Sequence, residues 1–153
     1  KRLDGWNMKT LLGHRVSRAA HVLQLLGRKS LPRVQAAYLR TICDGWCTRR
    51  RFQGRSSQCL FGCGRGEDAI WHYAHCSSVK NLMRSHSTLH GPESTSNLDV
   101  FCCMTPEDDA CVVLRATLLY ATYRLHNELR HRYCMVCQDL EGAFGRYCQE
   151  GSA

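Results

Sequence analysis

A mostly α-helical fold is predicted for this chain, and three observations carry the prediction. Apolar residues recur at three- and four-residue steps over several long segments. No segment alternates apolar and polar residues convincingly over five positions, so no strand is expected, and there is no internal repeat. The third observation is a local cluster, Cys59, Cys63, His72 and Cys76, inside 18 residues. The expected architecture is a small helical domain with one CCHC module and a long C-terminal helix. It divides into a basic helical arm over 1–57, which can also be read as the end of an upstream domain. The CCHC module over 58–84 follows, then a linker over 85–104 and a helical tail over 105–153.

Each element has a local reason. Over 9–27, Leu12, Val16, Ala19, Ala20, Leu23 and Leu26 form a stripe, with Arg15, Arg18 and Gln24 on the opposite side and Gly27 as a stop. Ser30 and Pro32 mark a second start, and Val34, Tyr38, Leu39 and Ile42 give that helix its buried stripe up to Gly45-Trp46. Thr48 to Gln58 is arginine-rich without apolar period and reads as a loop or short turn. A helix starting near Glu67 or Asp68 and running to about Arg84 would carry His72 and Cys76 on one face. Residues 85–98 read as a surface connection. Thr105 as cap, Pro106 in the first turn and Glu107-Asp108 at the positive dipole end open the longest helix. Cys111, Leu114, Leu118, Ala121, Leu125 and Leu129 continue it to Arg132, roughly 25 residues or about 38 Å.

Composition bounds the class. Charged residues make up 22% and hydrophobic residues 44%, which suits a globular chain. No apolar run approaches the about 18 residues of a membrane span, and no secretory leader is visible. The chain starts at Lys1, which reads as a piece of a longer or processed protein.

The spacing C-x3-C-x8-H-x3-C supplies three thiols and an imidazole, the donor set of one tetrahedral zinc site. Gly62 and Gly64 permit the sharp turn that two thiolates on opposite limbs require. Eleven cysteines is an odd number, and three of them at metal spacing together with a histidine favour a reduced, intracellular protein, nuclear or cytoplasmic, over a disulfide framework. A second site at Cys134-Met-Val-Cys137, with His131 and Cys148 nearby, is weaker than a reading as buried thiols, and adjacent Cys102 and Cys103 read as core. His14, His21, His86, His90 and His126 lie outside ligand spacing and read as surface or satisfied residues.

Charge is unevenly distributed. Residues 1–58 hold 13 Lys or Arg against two acids, and residues 59–153 hold 8 against 11. All excess positive charge therefore lies on the N-terminal side of the cysteine cluster, which points to a polyanion, RNA or DNA. A site of three thiolates around Zn²⁺ carries about one net negative charge, so it is not itself the phosphate-binding surface. The expected phosphate contacts are Arg49, Arg50, Arg51 and Arg55, helped by Arg33 and Arg40. Trp46, Phe52 and Trp71 stand among these arginines, either to stack on bases or to bury against the module.

The run Leu39-Arg40-Thr41-Ile42-Cys43-Asp44-Gly45-Trp46-Cys47-Thr48-Arg49-Arg50-Arg51-Phe52, followed by Cys59, Cys63, Glu67-Asp68, His72 and Cys76, resembles a known region. It is similar to the zinc-binding segment C-terminal to the polymerase domain of LINE-type (non-LTR) retrotransposon reverse transcriptases. The likeness covers roughly 31–132, with its specific part in about 40 residues; the family more often has four residues between the histidine and the last cysteine, where this chain has three. The resemblance implies Cys59, Cys63, His72 and Cys76 as zinc ligands, and a parent protein that is an RNA-directed DNA polymerase. It brings no polymerase chemistry to this segment. Glu107-Asp108-Asp109, the one acidic cluster, is explained by helix capping, and no Pro-Asp pair of an endonuclease occurs.

The expected function is a non-catalytic, zinc-dependent nucleic-acid-binding module. Two alternatives stand beside it: a protein-interaction domain with a purely structural zinc, whose 105–132 helix docks a partner, and a retroelement remnant without function. Exposure of Leu114, Leu118 and Leu125 would favour the docking helix; their burial would not.

Overall fold

A computed structural model of the chain describes residues 12–52, 58–86, 97–105, 108–131 and 139–152. Arg55, His90, Pro106, Glu107, Arg132, Cys134 and Cys137 lie outside the described residues, and with them the proposed second metal pair. The described residues are mostly helical and form no strand: α1 (Leu12–Lys29), α2 (Pro32–Ile42), α3 (Ile70–Tyr73), α4 (Ser77–Ser85), α5 (Asn97–Phe101), α6 (Asp109–His131) and α7 (Leu140–Gly151). The isolated bridge between Gln58 and Glu67 is the only β pairing among them.

α6 is the central element, packed against α1, α2 and α7. Its middle is buried on every side, from Ala116 through Thr122 without a break, then Leu125 and His126. Threonines tolerate that position because they bond back along their own helices. Thr117 donates to the Val113 carbonyl at 3.0 Å and Thr122 to that of Leu118 at 2.8 Å. The small side chains let neighbours come close: a Cβ on Gly151 of α7 would sit 3.0 Å from Thr117 and Tyr120. α6 spans 23 residues, about 34 Å. Leu118 and Leu125 are buried and Leu114 packs against the core, so the apolar stripe of α6 is used inside the fold.

α1 takes a phase different from the expected one. Its buried side is Arg15, Ala19, Val22, Leu25 and Leu26, whereas Val16 is 60% exposed and Ala20 is exposed. The reason is Arg18, which turns inward and donates to the Cys103 carbonyl at 3.3 Å and the Thr105 carbonyl at 2.8 Å. These carbonyls belong to a turn after α5 that includes Cys103 at φ 55°, and a guanidinium is the donor long enough to reach them. α1 also runs through Gly27 to Lys29. Ser30 closes α1, its hydroxyl donating to the Leu26 carbonyl at 2.8 Å. Leu31 then takes the extended conformation that a following proline imposes, and Pro32 opens α2. Val34, Tyr38 and Ile42 are buried as expected; Leu39 is exposed.

Two further corrections concern helix starts. Thr105 is buried with its hydroxyl unpartnered among the described residues, and the cap of α6 is Asp108, whose Oδ1 accepts the Cys111 N–H at 2.9 Å. The 85–104 connection contains α5, which drives Leu98 and Phe101 into the core, and Cys102 and Cys103 follow them fully buried. Core residues come from all seven helices and from Trp46 and Phe61 in the loops, so the basic first part shares one core with the Cys/His module.

Candidate metal centre

The chain approaches the centre in two pieces. Gln58 and Glu67 pair as an antiparallel bridge, and the Cys59 N–H donates to the Gly66 carbonyl at 3.2 Å. Between them the chain reverses through Gly62 and Gly64, at φ 70° and 67°, the left-handed region where a side chain is strained. Cys59 and Cys63 stand on the two limbs as the sequence predicts, and the Arg65 N–H points at the Cys63 sulfur at 3.4 Å. Gly66 has a separate reason. A Cβ there would lie 2.3 Å from Nδ1 of His72, so the imidazole rests directly on its backbone.

The second piece differs from the expected single helix. His72 sits on the one-turn α3, the chain leaves helical geometry, and Cys76 is the extended N-cap residue of α4 at φ −63° and ψ 125°. The break has a chemical consequence. The thiol of Cys76 is hydrogen-bonded to that of Cys59, and the amides of Val79 and Ser78 at the start of α4 also point to it, which together pull it down to about 5. The same contact, with burial, pushes the Cys59 thiol up. The two sulfurs are hydrogen-bonded to each other, and either can be the donor.

Sulfur to sulfur, Cys59 and Cys76 are 3.7 Å apart, and Cys63 Sγ is 3.3 Å from His72 Nε2. All four donor atoms lie within 4.8 Å of one another, a group that can hold a metal ion. Cys59, His72 and Cys76 are buried and Cys63 is half-buried. Phe61 and Tyr73 back the pocket edge to face, 5.0 Å between ring centres.

Next to these four side chains lies a buried polar network that sequence reasoning missed. Asp68 is 1% exposed and its carboxylate accepts three hydrogen bonds: the Arg49 N–H at 2.9 Å, the Tyr73 hydroxyl, and His126 Nε2 at 3.1 Å. Burial alone would push its carboxyl up, but the bonds from His126, Tyr73 and Arg49 outweigh it and hold the group below the ordinary carboxylate range. Burial and the bond to Asp68 push the Tyr73 phenol up. His126 reads from the sequence as a surface or satisfied residue; it is fully buried on α6, and its Nδ1 has no partner among the described residues. Trp46 covers the network, 5.2 Å from the His126 ring, 5.8 Å from Tyr73 and 5.3 Å from Tyr123, with its indole N–H on the Thr41 hydroxyl at 2.9 Å.

The predicted arginines separate into two groups. Arg33 and Arg40 stand exposed on α2, and Arg40 donates to the Tyr123 hydroxyl at 2.9 Å. Arg49, Arg50 and Arg51 occupy a turn that hangs on Asp68 twice, through the Arg49 N–H and through the Arg50 N–H to the Asp68 carbonyl at 3.4 Å. Arg50 pairs with Glu67 at 2.7 Å and lies 5.9 Å from the centre of the Trp71 ring. Arg51 lies 5.8 Å from the Phe52 ring, and Arg130 reaches the same ring at 6.0 Å from the far end of α6. The helical step that puts Tyr123 and Arg130 on one stripe of α6 was the available signal for adding Arg130 to this surface. Of the three aromatics, Trp46 is buried, while Phe52 and Trp71 are 61% and 43% exposed.

No helix is long and apolar enough to cross a membrane among the described residues. No protein-family model, no curated protein and no solved structure matches the chain.

Proposed function

We infer that the chain is a non-catalytic nucleic-acid-binding module organised by one zinc ion, whose arginine turn meets phosphates. Zinc suits the donor set: Zn–S of about 2.3 Å and Zn–N of about 2.0–2.1 Å put neighbouring tetrahedral donors about 3.5–3.8 Å apart. The separations of 3.7 Å and 3.3 Å already approach that figure. Cys59, Cys63, His72 and Cys76 would hold the ion, which supplies folding energy, about 10–16 kcal/mol in comparable peptides.

The observation that carries the reading is Asp68. It lies between the second and third ligands in sequence, and its carboxylate and carbonyl take the amides of Arg49 and Arg50. Closing the loop around a metal therefore also orders the turn that presents Arg49, Arg50 and Arg51. Within the same reading, the chain is the C-terminal region of a LINE-type reverse-transcriptase-like protein working in a reducing compartment, nucleus or cytoplasm. The motif Cys59…Cys76 supports the first part, and three thiols grouped with an imidazole support the second.

The test is oligonucleotide binding as a function of salt. Each phosphate neutralised contributes about 0.7–0.9 log units of affinity per log unit of salt. Changing Arg49, Arg50 and Arg51 together to alanine lowers affinity for all sequences alike and flattens that slope. A triple variant with unchanged affinity and slope would contradict the reading.

A further inference from the structure

We propose that Phe52 and Trp71 are stacking platforms for unpaired bases, so that the preferred ligand is single-stranded nucleic acid. This rests on the nucleic-acid reading above and narrows it. A chain that buries Trp46, Phe61, Tyr73, Phe101 and Phe144 leaves these two rings in water, Trp71 beside His72 and Phe52 at the end of the arginine turn. Both carry guanidinium groups near the outer limit of cation–π contact, two at Phe52 and one at Trp71. Arg51 and Arg130 converge on Phe52 from residues 79 positions apart, so the ring is flanked by positive charge from two elements. A base stacked on Phe52 would have its own phosphates within reach of both. Trp71 differs in one respect: Glu67, paired with Arg50, repels phosphate there, and what Trp71 offers a strand is its ring.

Paired bases keep their faces inside the duplex, so such platforms serve unpaired ones. The cations favour a nucleic acid over an anionic membrane. Between Lys29 and Lys80 all seven are arginines, whose planar fork binds phosphate through two bonds and stacks on rings.

The experiment titrates the metal-loaded chain into labelled oligo-thymidylate, oligo-uridylate, a mixed duplex of the same length, and phosphatidylserine vesicles. Phe52→Ala is expected to weaken both single strands about 5- to 150-fold, the worth of one stack, leaving the salt slope and duplex binding unchanged. Phe52→Tyr restores affinity. Tryptophan emission falls on adding a single strand to the wild type, and most of that change is absent in Trp71→Phe, which still binds. Equal losses on duplex and single strand, or a loss confined to vesicles, would overturn the proposal. If nucleic acids bind and Phe52→Ala alters none of them, stacking fails while the electrostatic reading stands; if no nucleic acid binds at all, both fail.

Discussion

Replacing Asp68 with asparagine isolates what joins the metal loop to the rest of the fold. The substitution keeps the volume and removes the charge. Three hydrogen bonds converge on this carboxylate, and the group is essentially sealed from water. An asparagine can still accept through one oxygen, but its NH₂ meets another donor, either the Arg49 N–H or the pair from Tyr73 and His126. Breaking a buried hydrogen-bonded pair on one side typically costs about 3–5 kcal/mol, and Asp68→Asn is expected in that range. Chemical denaturation of the metal-loaded protein reads the stability, and metal content is measured on the same samples. Asp68 is not a ligand, so the variant retains its metal while its oligonucleotide affinity falls with the loosened arginine turn. The pH dependence has a definite sign. The carboxyl is held below its unfolded value of about 3.9, so its stabilisation is present above that pH and is lost as pH falls through the lower folded value. The variant should lack this segment of the acid unfolding profile. A change of stability under about 0.5 kcal/mol with unaltered affinity would refute the reasoning, because that is the size of a surface substitution.

Three other outcomes follow from the geometry. Gly66→Ala forces a Cβ against His72 at a positive φ, so metal affinity measured by chelator competition should drop at least tenfold. Trp46→Ala empties the junction of α2, α5, α6 and the metal loop, and should lower stability by about 3–5 kcal/mol in a denaturant titration. The Cys76 thiol is drawn down and the Cys59 thiol pushed up, so with metal removed under reducing conditions mass-resolved alkylation should label Cys76 before Cys59; metal should protect both.

Much of the fold is legible in the residues, and the exceptions share a cause. α2 and α6 follow from apolar spacing, and the grouping of Cys59, Cys63, His72 and Cys76 follows from theirs, because both signals are local. The phase of α1 is not local: whether Arg15 and Arg18 or Val16 faces inward depends on carbonyls at Cys103 and Thr105, more than 80 residues away. The ligand helix looked continuous because His72 and Cys76 are four apart, yet a cysteine at an N-cap gains amide donors that a mid-helix position denies it. Asp68 was visible only as an acid between ligands, and His126 only as a histidine outside the motif. Their pairing across 58 residues is a tertiary fact. Arg130 had a complete explanation at its helix end, and its approach to Phe52 adds to it.

Metal content of the purified chain tests the central claim most directly, by native mass spectrometry beside Cys59→Ser and Cys76→Ser. The account predicts one zinc per chain in the wild type, none in either variant, and all thiols reduced. A wild-type chain isolated without metal under reducing conditions, yet folded and binding oligonucleotides with full affinity, would contradict it.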